Sequence, residues 1–197
     1  MLLYNRLLSY LRFMKQLSNE TETISSTTIA SALGVHEVQV RKDLAMVSDG
    51  GKPKIGYVTK DLIVDIERFL GHGKSTKAVL VGVGNLGKSF LKYENFKNYG
   101  LEIVGAFDRE PTLVGTQVGG IKVFGIDDIA NFCKHQNVQV GIITVPAVCA
   151  QSVCDKLVSA GIRALWNFTP TNLRVPQTVI IKNEDMAASL AMLTRQL

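Results

Sequence analysis

Six residues, Gly82-Val83-Gly84-Asn85-Leu86-Gly87, have the types and spacing to hold a dinucleotide pyrophosphate. Each glycine of a G-x-G-x-x-G run has its own task. Gly82 permits the tight turn, Gly84 lets backbone approach the phosphates, and Gly87 lets a helix pack closely on the preceding strand. A helix starting there aims free N–H groups and the positive end of its dipole at the anion. Asp108 follows at about the usual 20-residue interval for a carboxylate that takes both ribose hydroxyls. It would repel a 2′-phosphate and so favour NAD(H) over NADP(H); the adjacent Arg109 pulls weakly the other way.

These residues need strands and helices to place them. Ala78–Val81 is a β-branched apolar run before the glycines, Lys88 to Lys97 is helix-like, and Leu101 to Phe107 is a second apolar run ending at Asp108. That order is the βαβ dinucleotide unit. Further strands are expected at Ile121–Phe124, Val138–Thr144, Arg163–Trp166 and Val179–Ile181, with helices from Asp127 to His135 and from Ala147 to Ala160. The nearly all-apolar run at 138–144 reads as a buried parallel strand. Ligands of an open α/β sheet sit beyond the carboxyl ends of its strands. This puts Thr144, Val145, Pro146, Asn167 and Phe168 on the edge of the glycine turn, either lining a nicotinamide or serving as ordinary strand-end loops.

About 75 residues precede this unit. Leu3, Leu7, Tyr10, Met14 and Leu17 recur at helical steps, and polar residues 18–23 form a loop. Ser25 or Ser26 caps a short helix that Gly34 ends, and a second helix runs from His36 to Val47. Helix, glycine turn, helix is the outline of helix-turn-helix. Asp49-Gly50-Gly51-Lys52-Pro53-Lys54 is a basic tip before a short strand, Ile55–Val58, which together suggest a wing. A third amphipathic helix, Asp61–Leu70, leads to a linker at Gly71–Ser75. In a winged helix the second helix enters the major groove, so Gln39, Arg41 and Lys42 can reach base edges or phosphates, and Lys52 and Lys54 the backbone or minor groove. A helical domain for dimerisation or protein contact is the alternative.

The 197 residues are 46% hydrophobic, enough for a substantial core, and carry a net charge of +5. Residues 38–60 hold five of the cations against Asp43 and Asp49, a local basic patch suited to phosphates. No apolar run approaches the about 18 residues of a membrane span, and the N-terminus lacks a secretory pattern, so a cytoplasmic protein is expected. Cys133, Cys149 and Cys154 show no zinc spacing and read as buried thiols; no metal site is expected. The chain should therefore be α/β, with a winged-helix DNA-binding domain at 1–75, a Rossmann-like NAD(H)-binding domain at 76–182 and a C-terminal helix at 183–197. On that last helix Met186, Leu190, Leu193 and Leu197 make an apolar stripe that must fold back or cross to a second subunit.

A dehydrogenase needs a proton donor or acceptor beside the hydride. Here His36 falls in the DNA-reading helix, His72 in the linker and His135 on an outer helix, so no catalytic residues are expected. A cofactor site joined to a DNA-reading domain makes the cofactor a signal. The sequence resembles the Rex family of redox-sensing transcriptional repressors. The resemblance rests on Ile24-Ser25-Ser26, Gln39-Val40-Arg41-Lys42-Asp43-Leu44, Ile55-Gly56-Tyr57, Val81–Gly87, Phe107-Asp108, Thr144-Val145-Pro146 and Asn167–Pro170. It departs at Val47–Gly51, where the family usually has Phe-Gly pairs, and at Pro53-Lys54, which replace Arg-Gly.

The resemblance implies a homodimer on a palindromic operator, with Ser26 at the DNA, NADH or NAD⁺ in the Rossmann domain, and a C-terminal helix swapped between subunits. It implies that NADH releases the DNA. It also places Arg12, Tyr93, Asp185 and Met186 at positions of a relay between cofactor and DNA-binding domains. Two other classes stay open: a small NAD-dependent oxidoreductase, and a CoA- or nucleotide-binding module.

Overall fold

Leu7, Tyr10, Leu11 and Met14 lie on one face of α1 (Leu3–Leu17), and all four are buried. That apolar stripe organises the N-terminal unit, because Ile29, Val40, Leu44, Leu62 and Ile66 from the other three helices pack into the same core. In this computed structural model residues 3–17, 21–71 and 75–195 are described. The chain divides into two compact units, Met1–Lys74 and Ser75–Leu197. Residues 18–20 of the expected loop, 72–74 of the expected linker and Leu197 lie outside the described residues.

In the first unit α2 (Ser26–Leu33) is capped by Ser25, whose Oγ accepts from the Thr28 N–H at 3.0 Å. Gly34 ends it in the left-handed conformation (φ 63°), and α3 (Glu37–Ala45) follows, buried along Val40, Asp43 and Leu44. The wing strand is shorter than expected. β2 covers only Tyr57–Val58, and its partner is β1 (Thr23–Ile24), a strand that begins inside the expected loop at 18–23. Ile55 is exposed because Lys52-Pro53-Lys54-Ile55 is a tight turn closed by the Ile55 N–H on the Lys52 carbonyl (3.2 Å). Lys54 takes φ 66° at its third position, where such a turn needs a positive angle. α4 (Thr59–Phe69) completes the unit.

The second unit holds β3 (Thr76–Val81), α5 (Asn85–Leu91), β4 (Leu101–Asp108), β5 (Gln117–Val118), β6 (Ile121–Gly125), α6 (Ile129–Gln136), β7 (Val140–Ile143), α7 (Ala147–Ser159), β8 (Ala164–Asn167), β9 (Ile180–Asn183) and α8 (Met186–Thr194). Sheet order is β5-β6-β4-β3-β7-β8-β9, all parallel except β5 against β6. The order reverses between β3 and β7, which opens a crevice at their carboxyl ends. Alternate residues of β3 feed two cores. Val79 and Val81 pack with α6 and α7, whereas Ala78 and Leu80 pack with Leu91 of α5. Burial on both faces explains why the parallel strands read as continuous apolar runs.

The expected helix from Lys88 to Lys97 is corrected to α5 followed by a separate 3-10 helix, Glu94–Tyr99. In one continuous helix Phe96 would sit about 120° around the axis from Phe90. The break lets the two rings meet edge-on at 5.8 Å and lets both contact Trp166. The cysteine reading also changes: Cys133 and Cys154 are buried, but Cys149 is half-exposed near the start of α7. Burial pushes the Cys133 thiol up to about 11, so it behaves as a small apolar group.

Candidate functional site

The glycine turn leaves β3 at the switch point, and its three glycines meet three different constraints. Gly82 has φ 102°, and a Cβ there would sit 2.7 Å from the Thr144 carbonyl oxygen. A Cβ on Gly87 would collide with the Gly82 carbonyl oxygen, so helix and turn touch backbone to backbone. Gly84 is exposed, and a Cβ there would meet nothing within 4 Å. The space above Gly84 is what a pyrophosphate needs, and α5 starts at Asn85 with its first N–H groups beside it. Val83 is buried in the core, Leu86 half-buried, and Asn85 exposed. These residues fit a dinucleotide.

Asp108 ends β4 at the same edge. Its Oδ2 accepts from the Val83 N–H at 2.6 Å and its Oδ1 from the Glu110 N–H at 3.0 Å. An ionised carboxylate has about four acceptor sites, so capacity is left for ribose hydroxyls. Asp108 also lines a cavity of about 530 Å³ with Arg109, Pro111, Val114, Gly125 and Asp127, beyond the ends of β4 and β6. Arg109 reaches to Cys149, with Nη1 3.8 Å from Sγ.

Two of the expected nicotinamide-side residues hold the loops. The Thr144 hydroxyl contacts the Gly82 carbonyl at 2.7 Å and the Val81 carbonyl at 3.1 Å, bracing the turn. Asn167 is fully buried and its amide is saturated: Oδ1 accepts from the N–H and hydroxyl of Thr169, and Nδ2 donates to the Thr171 carbonyl and to Asn183. The Asn167 side chain thus holds the loop that follows β8. Val145 is half-buried beside Gly82, and Pro146 is exposed at the start of α7. Phe168 packs on Trp166 (4.5 Å) and Phe90 (4.7 Å).

That aromatic group borders an apolar groove of about 900 Å³, which also takes in Tyr93, Ile180 and Met186. Tyr93 and Met186 therefore come together. Asp185 caps α8 by accepting from the Ala188 N–H at 2.9 Å. Arg12 lies in the other unit, exposed on α1. No residue of α8 is buried, and Met186, Leu190, Met192 and Leu193 are each 60–68% exposed.

In the first unit a cleft of about 480 Å³ is bordered by Ser26, Glu37, Arg41, Lys52, Lys54 and Gly56. It gathers the start of α2, the Glu37–Arg41 edge of α3 and the wing tip. Arg41 is paired with Glu37 one turn earlier. Gln39 and Lys42 are exposed on α3 outside this cleft. Sequence reasoning missed the group that sets α3 against α1. Asp43, 2% exposed, accepts from Arg6 Nε (2.6 Å) and Tyr10 (2.9 Å) on Oδ2, and from Arg6 Nη2 (2.8 Å) and Gln39 Nε2 (2.8 Å) on Oδ1. Burial pushes the Asp43 carboxyl up, but the donated bonds outweigh it and hold it below its ordinary value. Burial and the Asp43 contact push Tyr10 up to about 12.

A helix-turn-helix unit with a basic cleft, joined to a Rossmann-type unit that carries a dinucleotide turn, has the layout of a ligand-responsive transcription regulator. Residues 3–45 match the family model described as a putative DNA-binding protein N-terminus, and residues 73–171 the CoA binding domain model. The chain is 42% identical over 189 residues to the redox-sensing transcriptional repressor Rex of Treponema denticola, covering 95% of this chain and 90% of that one. It is 41% identical to Rex of Bacteroides thetaiotaomicron, covering 98% and 88%. The crystal structure of RSP with β-NAD⁺ and operator DNA superposes with TM-score 0.91 at 32% identity, over 98% of this chain and 90% of that one. The complex of RSP with β-NADH gives 0.85 at 31%, over 100% and 92%. The chain belongs to the Rex family of redox-sensing transcriptional repressors. The family is one of repressors rather than enzymes, and no helix among the described residues is long and apolar enough to cross a membrane.

Proposed function

We propose that this chain is a cytoplasmic repressor that binds palindromic operator DNA as a homodimer and lets go when NADH occupies its Rossmann unit. The observation that carries the reading is the pairing of Gly82–Gly87 with Asp108 at the sheet's switch point, in a chain that also presents a basic winged-helix cleft. The glycine turn and the start of α5 would hold the pyrophosphate, and Asp108 the adenosine ribose, with Arg109 at its rim.

When bound, the cofactor brings a nicotinamide ring that is positive in NAD⁺ and neutral in NADH. Val145, Pro146 and Phe168 offer that ring apolar surface, and burying an unpaired charge is costly. The site therefore favours NADH without any reaction. Coupling to DNA needs two dimer shapes with different DNA affinity, a difference typically worth about 1–3 kcal/mol. We assign Arg12, Tyr93, Asp185 and Met186 to the relay between them. The bare apolar face of α8 supports a partner subunit as its cover.

At the DNA, Ser26, Arg41, Lys52 and Lys54 would take phosphates, with Gln39 and Lys42 on the outer face of α3. The test is a selection from randomised duplex DNA by the full chain with NAD⁺, followed by titration of NADH into the selected complex. Recovery of an inverted repeat released by NADH supports the reading. Failure to recover any sequence, or indifference of the complex to NADH, overturns it.

The match to the CoA binding domain model favours one other reading, a CoA-responsive regulator. Asp108 argues against it, because the adenosine of CoA presents no free ribose diol and carries a phosphate that the carboxylate would repel. Competition of CoA against NADH separates the two.

A further inference from the structure

The Arg6–Asp43–Tyr10–Gln39 group has one member that faces outward. Gln39 is exposed on α3, while the Asp43 carboxylate that it touches is buried. A carboxylate only accepts, so the amide must turn its nitrogen inward, as the 2.8 Å Nε2–Oδ1 contact has it. Asp43 cannot itself swing to suit. Arg6 grips both of its oxygens in a fork, and Tyr10 donates a further bond.

We infer that Asp43 is a positioning residue for base readout: it locks the Gln39 amide so that Oε1 and one N–H face outward, the pair that matches N6 and N7 of adenine in the major groove. Asp43 takes one amide hydrogen, and the oxygen and the second hydrogen are left for the base. Bidentate contact of Gln with adenine is the pairing that this edge geometry permits. A freely rotating glutamine would present donor and acceptor in either order and discriminate less.

The inference rests on the proposed reading of α3 as the DNA-contacting helix, and the experiment separates the two. The full chain is put through selection for an operator, and its affinity is then measured for that operator and for each single-base change in a half-site. One position should prefer adenine over guanine by about tenfold. Gln39→Ala should reduce that preference to under about threefold while preferences elsewhere in the half-site stay within about twofold. Asp43→Asn should do the same, and the double variant should lose no more at that position than Gln39→Ala alone. A merely structural Asp43 would instead lower affinity for every sequence and leave the adenine preference standing.

Should Asp43→Asn fail to fold, Gln39→Glu serves, because it keeps the Arg6–Asp43 fork and places an acceptor against an acceptor. It should lose the adenine preference and favour cytosine, whose N4 donates. A selected operator whose base preferences are unmoved by Gln39→Ala overturns the inference and leaves the reading of the chain intact. A wild-type chain that selects no operator overturns both.

Discussion

The Val83 backbone N–H donates to the Asp108 carboxylate at 2.6 Å, tying the glycine turn after β3 to the end of β4. The acidic residue expected to face a ribose therefore also fixes the shape of the pyrophosphate loop. A hydrogen bond to a charged group contributes about 1.5–3 kcal/mol. Asp108→Ala should weaken NADH binding by about tenfold or more even for analogues that lack the ribose hydroxyls. Binding can be followed by energy transfer from Trp166, the sole tryptophan, which stacks on Phe90. If the variant lost affinity only for dinucleotides with an intact diol, the bracing role would be wrong.

The glycines of the turn should separate in their effects. Gly84→Ala meets open space, so melting of the free chain should shift by no more than about 2 °C while NADH affinity falls, because the methyl fills the phosphate's position. Gly87→Ala forces the start of α5 away from the Gly82 carbonyl and should lower melting by several degrees with or without cofactor. Thermal melts of both variants, alone and with NADH, check this. Equal destabilisation by the two would contradict the geometry.

What could be read in the sequence was what spacing alone encodes. The βαβ unit, the roles of Gly82, Gly84 and Gly87, and the position of Asp108 all follow from residue types a fixed number of steps apart. So did the helix-turn-helix outline around Gly34. What escaped depends on partners brought from afar. Asp43 looked like one acid in a basic stretch, because Arg6 and Tyr10, its partners, are 37 and 33 residues away in sequence. Asn167 and Thr144 were legible only as residues of strand-end loops; the folded loops reveal that the Asn167 amide and the Thr144 hydroxyl hydrogen bind neighbouring backbone carbonyls. The break of the helix after Leu91 is set by Phe90 and Phe96 meeting Trp166, a contact that no local pattern announces.

The buried group on Asp43 makes the first unit sensitive to pH at both ends. The folded Asp43 value is lowered, so its contribution is present above the ordinary carboxylate value and is lost as pH falls through the folded one. Tyr10 is raised from 10.0 to about 12, so its contribution is full below 10 and is lost as pH rises toward 12. Tyr10→Phe should cost about 1–3 kcal/mol at neutral pH, since it strips a donor from a buried carboxylate, and should flatten the loss between pH 10 and 12. Denaturant melts of the wild type and Tyr10→Phe across that window measure it. An unchanged alkaline slope would show that another group is responsible.

Helix α8 exposes Met186, Leu190, Met192 and Leu193 together, an apolar surface that a lone subunit leaves in water. As a subunit contact it should fail when charged. Leu190→Glu with Leu193→Glu should convert a dimer to a monomer in sedimentation, and should weaken operator binding far more than NADH binding. A double variant that stays dimeric would place the interface elsewhere.

The cleft formed by Ser26, Arg41, Lys52 and Lys54 holds its cations unequally. Arg41 is already paired with Glu37, whereas Lys52 and Lys54 stand on the turn of the wing. Each phosphate contact released by mutation should reduce the salt dependence of DNA binding by about one ion. Lys52→Ala and Lys54→Ala should each show that drop while the preferred sequence is unchanged. Glu37→Gln should act oppositely: freeing Arg41 from its pair should strengthen binding to any duplex, specific or not, and most at low salt. Affinities measured across a salt series for the three variants give the slopes. A wing lysine whose removal left the slope untouched would lie away from the phosphates, and the DNA would then have to pass over α3 without contacting the turn at Lys52–Gly56.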